Sequence, residues 1–149
     1  MVNPVSPELS IVIPLRDEAL NVVPLHAELT TVLQQLGKPY EVILVDDGST
    51  DGTFARLHEL QRGDARVRVI RFTRNFGQTA AFAAGFAAAR GTLIVTADGD
   101  LQNDPSDIPR LLEAAATHDV VCGWRRDRKD PFLTKHLPSV VANRLIRLV

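Results

Sequence analysis

The sequence contains a single cysteine, Cys122, so no internal disulfide can form, which points to a reducing compartment. No apolar run reaches the roughly 18 residues that a membrane span needs. Met1–Ser10 lacks the basic-then-apolar layout of a signal peptide. No strong charge of either sign is present: 17 Lys and Arg against 18 Asp and Glu give a net −1, which argues against a nucleic-acid surface. Several chemical signatures are missing as well. There is no G-x-G-x-x-G after the first apolar run and no G-x-x-x-x-G-K-[ST]. None of Ser10, Ser49, Ser106 and Ser139 sits in a G-x-S-x-G elbow, which argues against a serine hydrolase. His26, His58, His118 and His136 are scattered and form no H-E-x-x-H pair, so a zinc site is not indicated.

The chain has 149 residues, 45% of them hydrophobic and 23% charged. That length fits one domain, which buries roughly 68–70% of its unfolded surface. Short, β-branched apolar runs at Leu9–Pro14, Tyr40–Val45, Val67–Phe72, Thr92–Ala97 and Asp119–Cys122 read as buried strands. Between them, Leu20–Leu36, Asp51–Gln61, Gln78–Arg90 and Pro105–Ala116 read as helices, with Asp51 as a cap and Gly37 as a stop. Strands alternating with helices predict an α/β fold, a mostly parallel sheet with helices on both faces. The tail is different. From Trp124 to Val149 seven basic residues outnumber two acidic ones, so the rest of the chain is acidic. Such a tail suits an anionic partner or a solvated loop equally well on charge alone. Ser139–Val149 forms an amphipathic pattern that serves either the core or a membrane surface.

Ligands of open α/β sheets bind beyond the carboxyl ends of the strands. Polar clusters follow four of the predicted strands: Arg16-Asp17-Glu18, Asp46-Asp47-Gly48-Ser49, Asp98-Gly99-Asp100-Leu101-Gln102 and Gly123-Trp124-Arg125. Asp98 and Asp100, one glycine apart, can share a hard cation, with Gln102 adding an oxygen; Mg2+ prefers such donors and completes its shell with water and phosphate. The same spacing serves an Asx-turn capping the helix after Pro105, but its place directly after TLIVTA favours the metal. The run from Asp46 to Gly52 is not an EF-hand. Counting from Asp47, the loop needs glutamate where His58 stands, and it follows a strand. A carboxylate there can accept a hydrogen bond from a base or a ribose. Gly77 suits a turn into the next helix, Arg74 is placed to face the cleft, and Gly85 and Gly91 read as packing or C-cap positions. Cys122 reads as a buried small hydrophobe.

Taken in order, SIVIPLRDEALNV, VILVDDGSTDGT, RNFGQTAAFAAG, TADGDLQNDPSDIP and DVVCGWRRDRKD resemble the family-2 glycosyltransferases with the GT-A (Rossmann-like) fold. They are most similar to the branch of dolichyl-phosphate mannose synthase and the bacterial undecaprenyl-phosphate sugar transferases. The resemblance runs from about Ser10 to the end of the chain. It implies that residues 1–149 form a single nucleotide-sugar-binding domain that stops short of the family's C-terminal part. It implies that Pro14, Arg16 and Glu18 line the nucleotide pocket, with Val45 and Asp47 beside the base and ribose. Asp98 lies near the sugar-nucleotide, Gly99 touches the diphosphate region through its backbone, and Asp100 with Gln102 holds Mg2+ or Mn2+. Asp98, Asp100 and Arg125 form the catalytic set, and Arg125 with Arg128 holds the acceptor phosphate. Arg16 stands where the family often has an aromatic residue, so a cation–π or ion-pair contact replaces stacking, and UDP and GDP both stay open. The implied reaction is a metal-dependent, inverting transfer from a UDP- or GDP-sugar to undecaprenyl or dolichyl phosphate, at the cytoplasmic side of a membrane. The RRDRKD run favours that acceptor, because a hydroxyl acceptor needs a base and the chain shows none. The other readings are a family-2 transferase acting on a polysaccharide or other hydroxyl acceptor, and a catalytically incomplete nucleotide-binding fragment.

Overall fold

The computed structural model describes residues 6–123. Strands β1 (Leu9–Leu15), β2 (Tyr40–Asp46), β3 (Val67–Arg71) and β4 (Leu93–Thr96) alternate with helices α1 (Val22–Leu36), α2 (Thr53–Gly63) and α3 (Gln78–Ala88). A short 3-10 turn over Pro105–Asp107 leads into α4 (Ile108–Ala115). All strand pairs are parallel, in the order β3-β2-β1-β4. The chain moves outward from β1 to β3, then returns to place β4 on the other side of β1. That reversal is the switch point at which an open parallel sheet leaves a crevice beyond its carboxyl ends.

The central strands are buried along almost their whole length, as a sheet covered on both faces requires. Alternation sorts their side chains. Leu9, Ile11, Ile13 and Leu15 of β1, with Val42 and Leu44 of β2, pack against Val22, Leu25, Leu29 and Leu33 of α1 and Leu57 of α2. Val12, Ile43 and Val45 face the other way and pack on Ala81 of α3. Each wholly buried Leu or Ile contributes on the order of 1.5–3 kcal/mol. The alanine-rich α3 approaches closely: a Cβ on Gly85 would lie 2.2 Å from Val12 Cγ1, so Gly85 is a packing glycine. At Gly91 a Cβ would lie 2.7 Å from the Ser10 amide nitrogen, which excludes any side chain there too. Helix α1 stops at Gly37, whose left-handed backbone (φ 65°) lets its N–H reach the Gln34 carbonyl.

A charged network closes the amino end of the sheet. Glu41, 3% exposed, accepts hydrogen bonds from Ser10 Oγ (2.8 Å), Arg68 (2.9 Å) and the Arg90 N–H (2.7 Å). Burial pushes its carboxyl up, but these donors outweigh burial and hold it below the usual range. At the carboxyl end of α2, Asp64 accepts from Arg66 Nε at 2.8 Å and meets His26 of α1 at 3.3 Å. The Arg66 hydrogen bond, working against burial, holds its carboxyl at about 2.

The expected fifth strand does not form: Asp119–Cys122 makes no ladder in the described residues, and Val120 is 79% exposed. A four-residue apolar run becomes a strand only where a neighbour offers a ladder, a condition local pattern does not reveal. Cys122 is accordingly exposed, not buried.

Two tests follow from this packing. Gly85→Ala is expected to cost about 1–3 kcal/mol by overpacking. Combined with Val12→Ala it should cost less than the two single changes together, read by urea unfolding; strict additivity would refute the contact. Asp64 has a lowered pKa, so its stabilisation is full above its unfolded value and is lost as pH falls towards 2. Asp64→Asn should therefore cost on the order of 2 kcal/mol at pH 7, with the gap to wild type closing below about pH 3.

Candidate nucleotide and metal site

The ends of β1, β2 and β4 and the start of α3 enclose a cleft of about 510 Å³. Its walls include Pro14, Arg16, Glu18, Asp47, Asp98, Gly99 and Asp100, all expected from the sequence. Leu15, Asn75, Gly77 and Gln78 complete them.

One wall is a set of hydrogen-bonded loops. Asp47 is buried, and its two carboxylate oxygens accept from the N–H groups of Phe76 (2.7 Å) and Gly77 (3.0 Å). It thereby fastens the turn into α3 to the end of β2, while its own N–H donates to the Leu15 carbonyl. Neighbouring Asp46 is wholly buried; Oδ1 accepts from the Ser49 N–H, and Arg71 Nε stands 3.7 Å from Oδ2. That arginine also lies over the Phe54 ring, at 4.0 Å. Gly48 (φ 68°) lets this turn meet the loop after β3: a Cβ would lie 2.3 Å from the Arg74 carbonyl carbon. The N-cap of α2 is Gly52 rather than the expected Asp51, which stands one position earlier and accepts from the Thr53 N–H (2.8 Å) and hydroxyl (2.5 Å). The Thr53 hydroxyl, against a smaller effect of burial, holds the Asp51 carboxyl below its ordinary value.

The opposite wall is the loop after β4. Gly99 packs under β1, where a Cβ would meet the Leu15 side chain at 3.0 Å. Asp98 Oδ1 accepts from Gln78 Nε2 at 2.9 Å, and its N–H donates to Asn103 Oδ1 at 2.8 Å. Asp100 Oδ1 accepts from the Gln102 N–H at 3.1 Å, which is an Asx-turn. The cap after Pro105 belongs instead to Asp104, which accepts from Ser106 N at 2.9 Å. The Asx-turn and the helix cap that the spacing of Asp98 and Asp100 could combine are therefore split between Asp100 and Asp104.

The donor chemistry fits Mg2+ or Mn2+. Asp98 and Asp100 bring hard carboxylate oxygens to one cleft, and one hydrogen bond each leaves lone pairs for a cation. Among the described residues no group of three or more His, Cys, Asp or Glu is arranged to hold a metal. The protein thus offers a partial shell, of the kind that water and phosphate oxygens complete.

Some expectations fall elsewhere. Val45 is wholly buried and packs with Val12, Ile43 and Ala81; strand alternation turns it into the core, away from the cleft. Gln102 is exposed and lies outside the cleft lining. Arg74 does not line the cleft; its guanidinium lies 4.5 Å over the Phe76 ring. Arg125 and Arg128, with the amphipathic pattern of Ser139–Val149, lie outside the described residues. The sequence reading assigned no role to Gln78, Asn75 or Asp17. Only the position of the RNFGQ segment after a strand pointed to the first two.

Comparison with known proteins extends this geometry. The profile of "Glycosyl transferase family 2" matches residues 10–147. A curated relative, dodecaprenyl-phosphate galacturonate synthase of Rhizobium johnstonii, is 44% identical over 142 residues, covering 93% of this chain and 42% of that protein. Undecaprenyl-phosphate 4-deoxy-4-formamido-L-arabinose transferase of Aeromonas hydrophila is 44% identical over 136 residues, covering 89% of this chain and 41% of its own length. The chain thus spans about two-fifths of the length of these relatives. In fold it is similar to the mannosyltransferase PcManGT of Pyrobaculum calidifontis, solved in complex with GDP-Man and Mn2+ (TM-score 0.62, 23% identity, 83% of this chain, 37% of that one). It is also similar to S. aureus TarS in complex with UDP (TM-score 0.58, 18% identity, 86% of this chain, 39% of that one). The fold is that of the GT-A glycosyltransferases. The chain belongs to glycosyl transferase family 2 and is glycosyltransferase sequence.

Gly48→Ala tests the packed wall. A left-handed backbone and a backbone clash together should cost at least about 2 kcal/mol, measured by urea unfolding. A variant as stable as wild type would remove the close approach of the two loops.

Proposed function

We propose that this chain is the donor-binding half of an inverting, metal-dependent transferase that moves a sugar from a UDP- or GDP-sugar to a polyprenyl phosphate. The observation that carries the reading is the convergence of Arg16, Glu18, Asp47, Asp98 and Asp100 on one cleft at the switch point of the sheet. The names of the two curated relatives support the acceptor. The nucleotides and the Mn2+ of the two structural relatives support the donor class and the cation.

In this reading Arg16 and Asp47 flank the nucleoside, and Asp98 and Asp100 face the diphosphate. Asp100, with Asp98 beside it, would hold Mg2+ or Mn2+, which supplies positive charge for the leaving diphosphate. A hydrogen bond from Gln78 orients the Asp98 carboxylate in the cleft. An oxygen of the acceptor phosphate forms its bond to the anomeric carbon as the bond from that carbon to the diphosphate oxygen breaks. The electron pair leaves with the nucleoside diphosphate, and the configuration inverts. A phosphate is already anionic at neutral pH, so no side chain has to remove a proton. The chain's task is then positioning and electrostatic stabilisation. Arg125 and Arg128 are the candidates for holding the acceptor phosphate, and they belong to a basic run of the kind that an anionic membrane surface attracts.

Titration calorimetry with UDP and GDP, with and without Mn2+, tests the donor site. Wild type should bind one of the two more tightly with Mn2+, and Asp100→Ala should lose that Mn2+-dependent gain. Equal Mn2+ dependence in the variant would sink the assignment of Asp100. Transfer to undecaprenyl phosphate by the longer protein then tests the acceptor.

A further inference from the structure

Asp17 has the left-handed backbone that side chains seldom adopt, at φ 53°. It sits between Arg16 and Glu18, which line the cleft, yet does not line the cleft itself. The Thr50 N–H donates to its Oδ1 at 2.7 Å and the Thr50 hydroxyl to the same oxygen at 3.2 Å. In return the Asp17 N–H donates to Ser49 Oγ at 3.0 Å. The next two residues repeat the exchange: the Glu18 N–H donates to Thr53 Oγ1 at 2.8 Å, and the Ala19 N–H to Asp51 Oδ2 at 3.1 Å. Three consecutive amides of the loop after β1 are therefore met by side chains of the loop after β2 and of the first residue of α2, more than 30 positions away in sequence. Among the described residues, the Asp17 carboxylate is the side chain of the loop after β1 that reaches back, accepting from Thr50. Its second oxygen stands 3.7 Å from Arg16 Nε.

We infer that Asp17 is a positioning residue for the donor site: its left-handed turn and its bonds to Thr50 latch the loop after β1 to the loop after β2, and so fix Arg16 and Glu18 on the cleft wall. A left-handed residue inside a strand-to-helix connection turns successive side chains to different sides. Here that turn sends Asp17 to Thr50 while its two neighbours meet the cleft. Aspartate and asparagine are the non-glycine residues that tolerate this backbone, and both offer an oxygen at Oδ1. The latch thus needs two properties in one residue, and substitutions separate them. Asp17→Asn keeps the backbone preference and the acceptor. Asp17→Gly keeps only the backbone freedom. Asp17→Ala keeps neither.

The functional consequence rests on the nucleotide-sugar reading of the cleft; the latch itself does not. The experiment is therefore run with two readouts on the 149-residue chain: amide hydrogen exchange, and calorimetric affinity for UDP and GDP with Mn2+. The Thr50 amide should be protected in wild type and in Asp17→Asn, and should exchange about tenfold faster in Asp17→Gly, in line with the loss of its acceptor. Nucleotide affinity should be retained in Asp17→Asn and fall about tenfold in Asp17→Gly, with the far-ultraviolet spectrum of the variant unchanged. A purely structural role would let glycine, which fits the backbone, bind like wild type, and that result overturns the inference. Unchanged Thr50 protection in Asp17→Gly overturns it as well. If wild type binds neither nucleotide, the donor reading fails, and the exchange data alone decide whether the latch exists.

Discussion

A buried carboxylate costs several kcal/mol unless hydrogen-bond donors replace its lost water, and the cleft is arranged around that constraint. β2 ends in two such groups, Asp46 and Asp47, both buried at the edge of the core. Their requirements are met by main-chain N–H groups, which can be supplied only by bending the following loops over them. Asp47 draws in Phe76 and Gly77, and Asp46 draws in Ser49. The bending is possible because Gly48 and Gly77 adopt positive φ and Gly48 leaves no Cβ between the loops. The shape of one cleft wall is thus a consequence of where two negative charges were buried. One oxygen of that pair stays incompletely met: among the described residues Asp46 Oδ2 has no hydrogen-bond partner, and Arg71 at 3.7 Å supplies charge without a bond.

The same economy operates at the far end of the sheet, with a different outcome. Glu41 is buried where β1, β2 and β3 begin, and Ser10, Arg68 and Arg90 converge on it. Here the donors include two guanidinium groups, and the bonds tie strands and the end of α3 to one another. None of these four residues lines the cleft. Buried acids at the two ends of β2 therefore serve separate ends: one holds the scaffold, the other shapes a surface. The distinction follows from the donors. Arginine side chains fill the space they reach across, whereas loop amides bring backbone and leave space beside it.

The fold was legible because a parallel sheet has to bury continuous apolar strands, and LSIVIP, YEVILV and TLIVTA state that in sequence. The position of the cleft was legible because polar clusters come directly after those runs. Two kinds of feature were not. Val45 was assigned beside the nucleotide, yet its side chain points into the core, because a motif names a stretch of chain and alternation decides which face each residue presents. Asp17 and Gln78 were passed over because their partners, Thr50 and Asp98, are distant in sequence, and no local periodicity records such a pairing. Asp119–Cys122 shows the converse failure. Its local pattern is strand-like, but pairing is a property of the neighbour.

The two walls of the cleft differ in how they are held, and that difference bears on the proposed chemistry. The loops after β1, β2 and β3 are cross-linked by hydrogen bonds between residues 29 to 35 positions apart. The segment from Asp98 to Asp104 is stitched mainly by short-range bonds: Asp98 to Asn103, Asp100 to Gln102 and Asp104 to Ser106. A long-range side-chain bond reaches it from Gln78. Short-range bonds travel with the segment that makes them, whereas the cross-linked loops cannot shift without breaking bonds to one another. In the proposed reaction the first property suits the diphosphate and its cation, whose charge changes as the bond breaks. The second suits the nucleoside, which is the same before and after transfer.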